Sequence, residues 1–163
     1  MTTGEAYELK PYVRDDRDAT RLRLITTGLI DPKACLWGVR PCKYLGEQFA
    51  CPVVILDQSA PASLRKRTER AIRPKILIAG LSKKIEAFLD EAGECIGTVS
   101  TFTITHPTDD ISRLRLLLDH LLSEEADKQF RLSLGSSLVG GGDFTMKRGF
   151  LRELRLPATV TEG

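Results

Sequence analysis

Two hydrophobic periods divide this chain. Up to Ile104, apolar residues come in short runs or alternate with polar residues, which is typical of β-strands. From Asp109 onwards they recur every three or four positions, as they do on one face of a helix. The pattern therefore predicts strands first and helices later, an α+β fold.

The strongest strand prediction covers residues 75–80, an apolar run rich in isoleucine and closed by Gly80. A loop containing Trp37, Pro41 and Tyr44 is expected between two earlier β segments. Further strands are predicted at residues 21–25, 29–30, 51–56, 85–89 and 95–104. With a turn at residues 90–93, the last strands predict a β-meander.

Four helices are expected. Residues 63–72 form a short basic helix before Pro74, and Asp109 or Asp110 caps the next one. That helix has an apolar stripe of Ile111, Leu114, Leu117, Leu118, Leu121 and Leu122, which indicates core packing. A third helix starts near Ser123 and ends at Gly135, and Thr145 caps a last one over residues 146–151.

Charge is unevenly distributed, although the net charge is only +2. Residues 65–84 hold eight cations against Glu69 alone, a local net charge of +7. Residues 86–127 hold ten acids against Arg113 and Arg115, a local net charge of −8. This separation predicts a basic face and an acidic face, and the basic face is a candidate surface for phosphate contacts.

Length and motifs exclude several classes of protein. A chain of 163 residues is too short for a catalytic domain plus a full recognition domain. It contains no Gly-x-Ser-x-Gly, His-Glu-x-x-His or P-loop motif, so an independent hydrolase is not supported. Its four cysteines lack C-x-x-C spacing and are expected to be buried reduced thiols. No apolar run approaches the roughly 20 residues of a membrane span and no signal peptide is visible, so a cytoplasmic location without membrane contact is expected.

One ordered set of motifs begins at Arg73-Pro74-Lys75-Ile76. It continues with a strand, an acidic turn, a threonine-rich strand, a leucine-rich helix ending at Ser123, three glycines and a closing segment over residues 144–157. This order resembles the TaqI-like C-terminal specificity domain, the target-recognition domain of adenine-N6 DNA methyltransferases and restriction-modification enzymes. The resemblance covers residues 10–157, with residues 1–9 expected to be disordered or a linker and residues 158–163 a tail.

Two positions depart from the family pattern. Leu122 stands where the family usually has Asn before Ser, and the usual ending with two prolines is reduced to Leu156-Pro157-Ala158. The Asn-Pro-Pro-Tyr motif, which the family carries in a separate N-terminal domain with the S-adenosylmethionine site, does not occur here. The resemblance therefore implies a non-catalytic reader of double-stranded DNA, with no cofactor or metal of its own. Its partner would be the methyltransferase domain, which flips the target adenine, and Met1 would be the artificial start of an excised domain.

Candidate DNA contacts follow from chemistry and position. Phosphate contacts are expected from cations of the basic stretch, because their charge matches the DNA backbone: Arg65, Lys66, Arg67, Arg70 and Arg73. The glycines Gly140, Gly141 and Gly142 would let that loop approach a sugar-phosphate strand closely. Base contacts are assigned to the loop ends: Ser82, Lys83, Lys84, Lys147 and Arg148. The alternative is a protein-interaction module whose acidic helices dock a methyltransferase or another partner.

Overall fold

The computed structural model describes residues 1–18, 22–134, 144–145 and 148–154. The α-helices in these ranges are α1 (Thr3–Leu9), α2 (Ala62–Ala71), α3 (Ile111–Leu121), α4 (Glu124–Leu134) and α5 (Arg148–Glu153). Two short 3-10 helices, Lys10–Tyr12 and Thr27–Leu29, connect neighbouring elements. Within these ranges, no helix combines the length and the apolar character needed to cross a membrane.

Short strands make up the rest of the regular structure. They are β1 (Val13–Asp15), β2 (Leu22–Ile25), β3 (Ile30–Asp31), β4 (Ala34–Cys35), β5 (Cys42–Tyr44), β6 (Glu47–Phe49), β7 (Pro52–Val54), β8 (Lys75–Ala79), β9 (Leu81–Ser82), β10 (Ala87–Asp90), β11 (Cys95–Gly97), β12 (Thr101–Ile104) and β13 (Phe144–Thr145). Among the described residues, one sheet has the order β1-β7-β2-β11, a second has the order β10-β8-β12, and three two-stranded sheets are β3-β4, β5-β6 and β9-β13. The α+β class predicted from the sequence is confirmed.

The region expected to be a loop around Trp37 and Tyr44 instead contains strands β4, β5 and β6. The turn between β5 and β6 has positive φ at both Leu45 (45°) and Gly46 (88°), as a two-residue hairpin turn requires. The sequence here is Leu-Gly instead of the usual Asn-Gly or Asp-Gly signature, and leucine rarely adopts positive φ. That is why the pattern of residues did not indicate this hairpin.

The strand order after Pro74 differs from a simple meander. Strand β8 lies at the centre of its sheet, antiparallel to β10 on one side and to β12 on the other. The predicted strand over residues 95–104 is two strands, and the first of them, β11, pairs in parallel with β2 of the other sheet. Strand β11 therefore belongs to the first sheet, while β12 returns to the second.

Strand β8 separates two hydrophobic cores. Its residues Leu77 and Ala79 belong to the core around β2, whereas Ile76 and Ile78 belong to the core under α3, α4 and α5. This alternation follows from the two-residue period of a strand that is buried on both faces. Asp110 caps α3 by accepting a hydrogen bond from the Arg113 amide, which confirms that capping prediction. The α3 stripe also packs as predicted, with Leu114, Leu118 and Leu121 buried in the second core.

The N-terminal segment, expected to be disordered or a linker, forms helix α1. Thr2 and Glu5 make a capping box: the Thr2 hydroxyl accepts from the Glu5 amide at 3.2 Å, and the Glu5 carboxylate accepts from the Thr2 amide at 2.6 Å. Ala6 and Leu9 are buried in the first core. The expectation for residues 1–9 is thus wrong, because the Thr-x-x-Glu cap and two apolar anchors stabilise a helix there.

All four cysteines are free thiols, and Cys42, Cys51 and Cys95 are buried, as expected. Cys35 is partly exposed. Its pKa is lowered to about 7, chiefly because the Cys95 thiol donates a hydrogen bond to its sulfur. Burial and this shared hydrogen bond raise the pKa of Cys95.

One ion pair is buried at the centre of the fold. The Lys75 ammonium contacts the Asp90 carboxylate, and the two side chains are only 2% and 5% exposed. Lys75 also donates to the Ala71 carbonyl at 2.7 Å, and Asp90 accepts from the amides of Glu94 at 3.0 Å and Cys95 at 2.9 Å. The pair therefore connects the end of α2 with β8, β10 and the start of β11.

Replacing Lys75 with Met should lower the free energy of unfolding by about 3–5 kcal/mol, because Asp90 would keep a buried charge without its partner. Lys33→Met is the matched control, since it breaks a lysine–aspartate pair with Asp119 in which the side chains are 64% and 61% exposed. That change should cost about 0–1 kcal/mol. Urea denaturation measures both values. Equal losses in the two variants would contradict a special role for the buried pair.

Candidate nucleic-acid interface

Helix α2 presents cations to solvent on one side and packs apolar surface on the other. Leu64 and Thr68 are buried. Lys66 and Arg70 are exposed, and their four-residue spacing places them on the same side of the helix. The helix spans Ala62–Ala71, close to the predicted residues 63–72, so the sequence located this basic element well.

A cleft of about 460 Å³ lies between α2 and the strands β11 and β12. Its lining combines cationic side chains with small polar ones: Glu5, Ser63, Lys66, Arg67, Arg70, Ala71, Lys75, Ile96, Gly97 and Thr103. Three of the predicted phosphate contacts, Lys66, Arg67 and Arg70, are thus brought together at one place. Glu5 is the one carboxylate in the lining.

Arg67 is a partly buried cation of the cleft. Its Nη1 atom lies 3.2 Å from the Glu5 carboxylate. Its Nε atom is buried and has no hydrogen-bond partner within the described part of the chain. A buried donor left without an acceptor is unfavourable, and Arg67 lines the cleft, so this N–H is a candidate donor for a ligand bound there.

Arg65 does not face the cleft. Its guanidinium donates to three carbonyls of the loop that precedes α2: Ala60 at 3.1 Å, Asp57 at 3.0 Å and Gln58 at 2.6 Å. Because these bonds hold the loop together, the structure uses Arg65 within the fold. This position departs from the phosphate contact expected for it.

The basic and acidic stretches do not form two separate faces. Arg73 pairs with Asp109, with Nε and Oδ1 2.7 Å apart, and it also donates to the His106 carbonyl at 2.7 Å. Lys75 pairs with Asp90. The predicted separation is therefore partly wrong, because two cations of the basic stretch are neutralised by acids of the acidic one. Lys66, Arg70, Lys83 and Lys84 remain exposed, with no acidic partner among the described residues.

Ser82, Lys83 and Lys84, three of the predicted base-reading residues, do not line the cleft beside α2. They follow the short strand β9, and the Ser82 hydroxyl donates to the Lys84 carbonyl. Strand β9 pairs with β13, with Phe144 opposite Ser82, so residues far apart in sequence meet here. Arg148 is the first residue of α5. Gly140, Gly141, Gly142 and Lys147 lie outside the described residues, as does the tail over residues 158–163.

Sequence reasoning missed Glu5, Ser63 and Thr103, all of which line the cleft. Glu5 lies in the segment that was expected to be disordered, and the Thr-x-x-Glu capping box was the signal that could have located it. Ser63 and Thr103 carry no such signal. They line one cleft because α2 lies beside β11, which in turn contacts β12.

Hydrogen bonds hold Glu5 and helix α1 in place. The Thr2 amide lowers the pKa of Glu5 by donating to its carboxylate, and Arg67 adds to the shift, so Glu5 is an anion at neutral pH. The Tyr44 hydroxyl donates to the Ala6 carbonyl at 2.7 Å and thereby ties α1 to β5. Burial raises the pKa of Tyr44 to about 12.

No cluster of His, Cys, Asp or Glu suited to holding a metal ion occurs within residues 1–18, 22–134, 144–145 and 148–154. No protein-family model matches this chain, and no curated protein matches it. A role for the cleft is therefore inferred from its own geometry and from the motif order in the sequence.

Tyr44→Phe should destabilise the protein near pH 8, because the Ala6 carbonyl loses its donor. The stability difference between wild type and variant should then shrink as the pH rises from about 10 to about 12. In that window Tyr44 ionises in the unfolded chain but keeps its proton in the folded chain. The wild type therefore loses a contribution to its free energy of unfolding that the variant does not have. Urea denaturation at pH 8, 10, 11 and 12 measures the difference. A constant difference across this range would contradict the raised pKa.

Proposed function

We propose that this chain binds double-stranded DNA as the target-recognition module of a site-specific adenine-N6 DNA methyltransferase or restriction-modification enzyme. The observation that carries the DNA contact is the exposed pair Lys66 and Arg70 on α2, beside the cleft and without acidic partners in the described ranges. Cations that are already neutralised inside the fold release few counterions from DNA, whereas exposed unpaired cations release them fully. Lys66 and Arg70 are therefore the best candidates for phosphate contacts.

A second basic group supports the same proposal. Lys83 and Lys84 are exposed at the turn after β9, and β9 pairs with the strand that precedes Lys147 and Arg148 in sequence. This strand pair places Ser82 opposite Phe144. Phosphate contacts near α2 would then position the DNA, and base contacts near β9 would read its sequence.

The methyltransferase part of the proposal rests on the order of motifs from Arg73 to Pro157, which resembles the TaqI-like specificity domain. In that proposal the S-adenosylmethionine site and the adenine pocket belong to a separate catalytic domain, which acts as the partner of this chain. The complex would work in the cytoplasm. Leu122 and the shortened Leu-Pro ending, the two departures from the family, leave the proposed phosphate contacts unaffected because neither removes a cation.

Titration of a pool of random duplexes against the chain, followed by fluorescence anisotropy at several salt concentrations, tests this proposal. With phosphate contacts from Lys66 and Arg70, and up to two more if Lys83 and Lys84 also reach the backbone, the plot of log K against log salt should have a slope of about −2 to −4. The double variant Lys66→Ala/Arg70→Ala should make the slope less negative by about 2. A binding constant independent of salt would contradict the proposal.

The matched control is Lys43→Ala/Lys128→Ala, which also removes two positive charges. Both lysines are exposed, and neither lines the cleft beside α2. This variant should change the slope by well under 1. If the two double variants weaken binding equally, DNA contact is a matter of net charge and the assignment to α2 is wrong. Capture of a methyltransferase core without any DNA binding would favour the protein-interaction alternative.

A further inference from the structure

We propose that the cleft between α2, β11 and β12 is a specific site for one phosphate group, with Arg67 as its buried donor. The inference rests on the proposed function only for the source of that phosphate. A phosphodiester of the DNA backbone and a free phosphate share the chemistry that the cleft would recognise. The experiment below separates these two sources.

The charge of the cleft favours an anion. Four cations line it, but Asp90 neutralises Lys75 and Glu5 neutralises Arg67. Lys66 and Arg70 remain uncompensated in the described ranges, which leaves an excess of two positive charges. A phosphomonoester carries about −1.5 to −2 at pH 7 and matches this excess. A phosphodiester of DNA carries about one negative charge, so it would neutralise half of the excess.

The Arg67 Nε–H is the donor that would orient a phosphate group in this site. This donor is buried and unpartnered, whereas the Nη1 atom of the same guanidinium is held by Glu5. A guanidinium binds phosphate best when neighbouring N–H groups meet two oxygens, and here one edge is anchored while the other is unused. An incoming phosphate oxygen would satisfy the one cationic donor that the fold leaves buried without an acceptor in the described part of the chain.

Neutral donors complete the site from both walls. Ser63 lies in the first turn of α2, and Thr103 lies across the cleft on β12. Hydroxyl groups at these positions can each donate to a phosphate oxygen. The volume of about 460 Å³ leaves room for the group to which the phosphate is esterified.

Glu5 competes with the ligand. Its carboxylate holds the Arg67 guanidinium and places a negative charge beside the anion. Glu5→Gln removes this charge and keeps the capping box, because glutamine also serves at the third helical position. We therefore expect this variant to bind phosphate more tightly, because it removes a negative charge beside the bound anion.

The experiment is a titration of inorganic phosphate into the full chain, followed by ¹H–¹⁵N NMR. The Nε–H signal of Arg67, assigned by its loss in Arg67→Lys, should shift and saturate. Lys66→Ala and Arg70→Ala should each weaken binding about tenfold, since each removes a charged hydrogen bond. Glu5→Gln should tighten it about threefold. Lys43→Ala, which removes the same charge at an exposed lysine outside the cleft, should leave it within twofold of wild type.

Thermal unfolding checks that the exposed variants remain folded, so a loss of binding is not a loss of structure. No saturable shift at Arg67, or equal weakening by Lys43→Ala and Arg70→Ala, would overturn the site. Unchanged or weaker phosphate binding by folded Glu5→Gln would overturn the role of Arg67.

Addition of duplex DNA to the phosphate-loaded chain identifies the source. Displacement of phosphate from the Arg67 signal supports a backbone phosphodiester as the natural ligand. DNA binding without displacement overturns that source and leaves the proposed function intact. Phosphate binding by a chain that binds no DNA supports a free-phosphate site and counts against the proposed function, so the two failures remain distinguishable.

Discussion

The buried pair of Lys75 and Asp90 connects the two larger sheets of this fold. Two charges removed from water are costly unless every donor and acceptor has a partner. Here the ammonium also donates to the carbonyls of Ala71 and Arg73, and the carboxylate also accepts from two backbone amides. The two charged residues lie on β8 and β10, and their backbone partners lie around the end of α2 and the start of β11. The pair is therefore satisfied only when those elements adopt their observed arrangement.

The shape of the cleft depends on this arrangement. Its walls are α2 on one side and β11 and β12 on the other, and the buried pair ties the end of α2 to the start of β11. The turn that follows β10 must also lie close to the backbone of Arg73. Gly93 has φ of 70°, and a Cβ atom there would lie 2.4 Å from the Arg73 backbone nitrogen. A side chain at this position would force apart the segments that the ion pair joins.

Competition inside the fold decides which cations can meet a ligand. Eight basic residues lie between positions 65 and 84, but carbonyls, Glu5, Asp90 and Asp109 engage four of them: Arg65, Arg67, Lys75 and Arg73. Local net charge is therefore a poor guide to a binding surface when long-range ion pairs are possible. The exposed cations that remain form two groups, one on α2 and one at the turn after β9.

By itself, the sequence determined the α+β class, the basic helix α2, the central strand β8 and the capped, amphipathic helix α3. Each of these depends on neighbours in the chain: a hydrophobic period, a cap or a proline, all of which act over a few residues. The hairpin with its turn at Leu45 and the carbonyl partners of Arg65 are also local, but no residue signature marks them. The parallel pairing of β2 with β11 and the ion pairs of Arg67 and Arg73 were set by tertiary packing. Those features arise where distant segments pack together, and side-chain packing and ion pairing across such distances leave no periodic trace in the sequence.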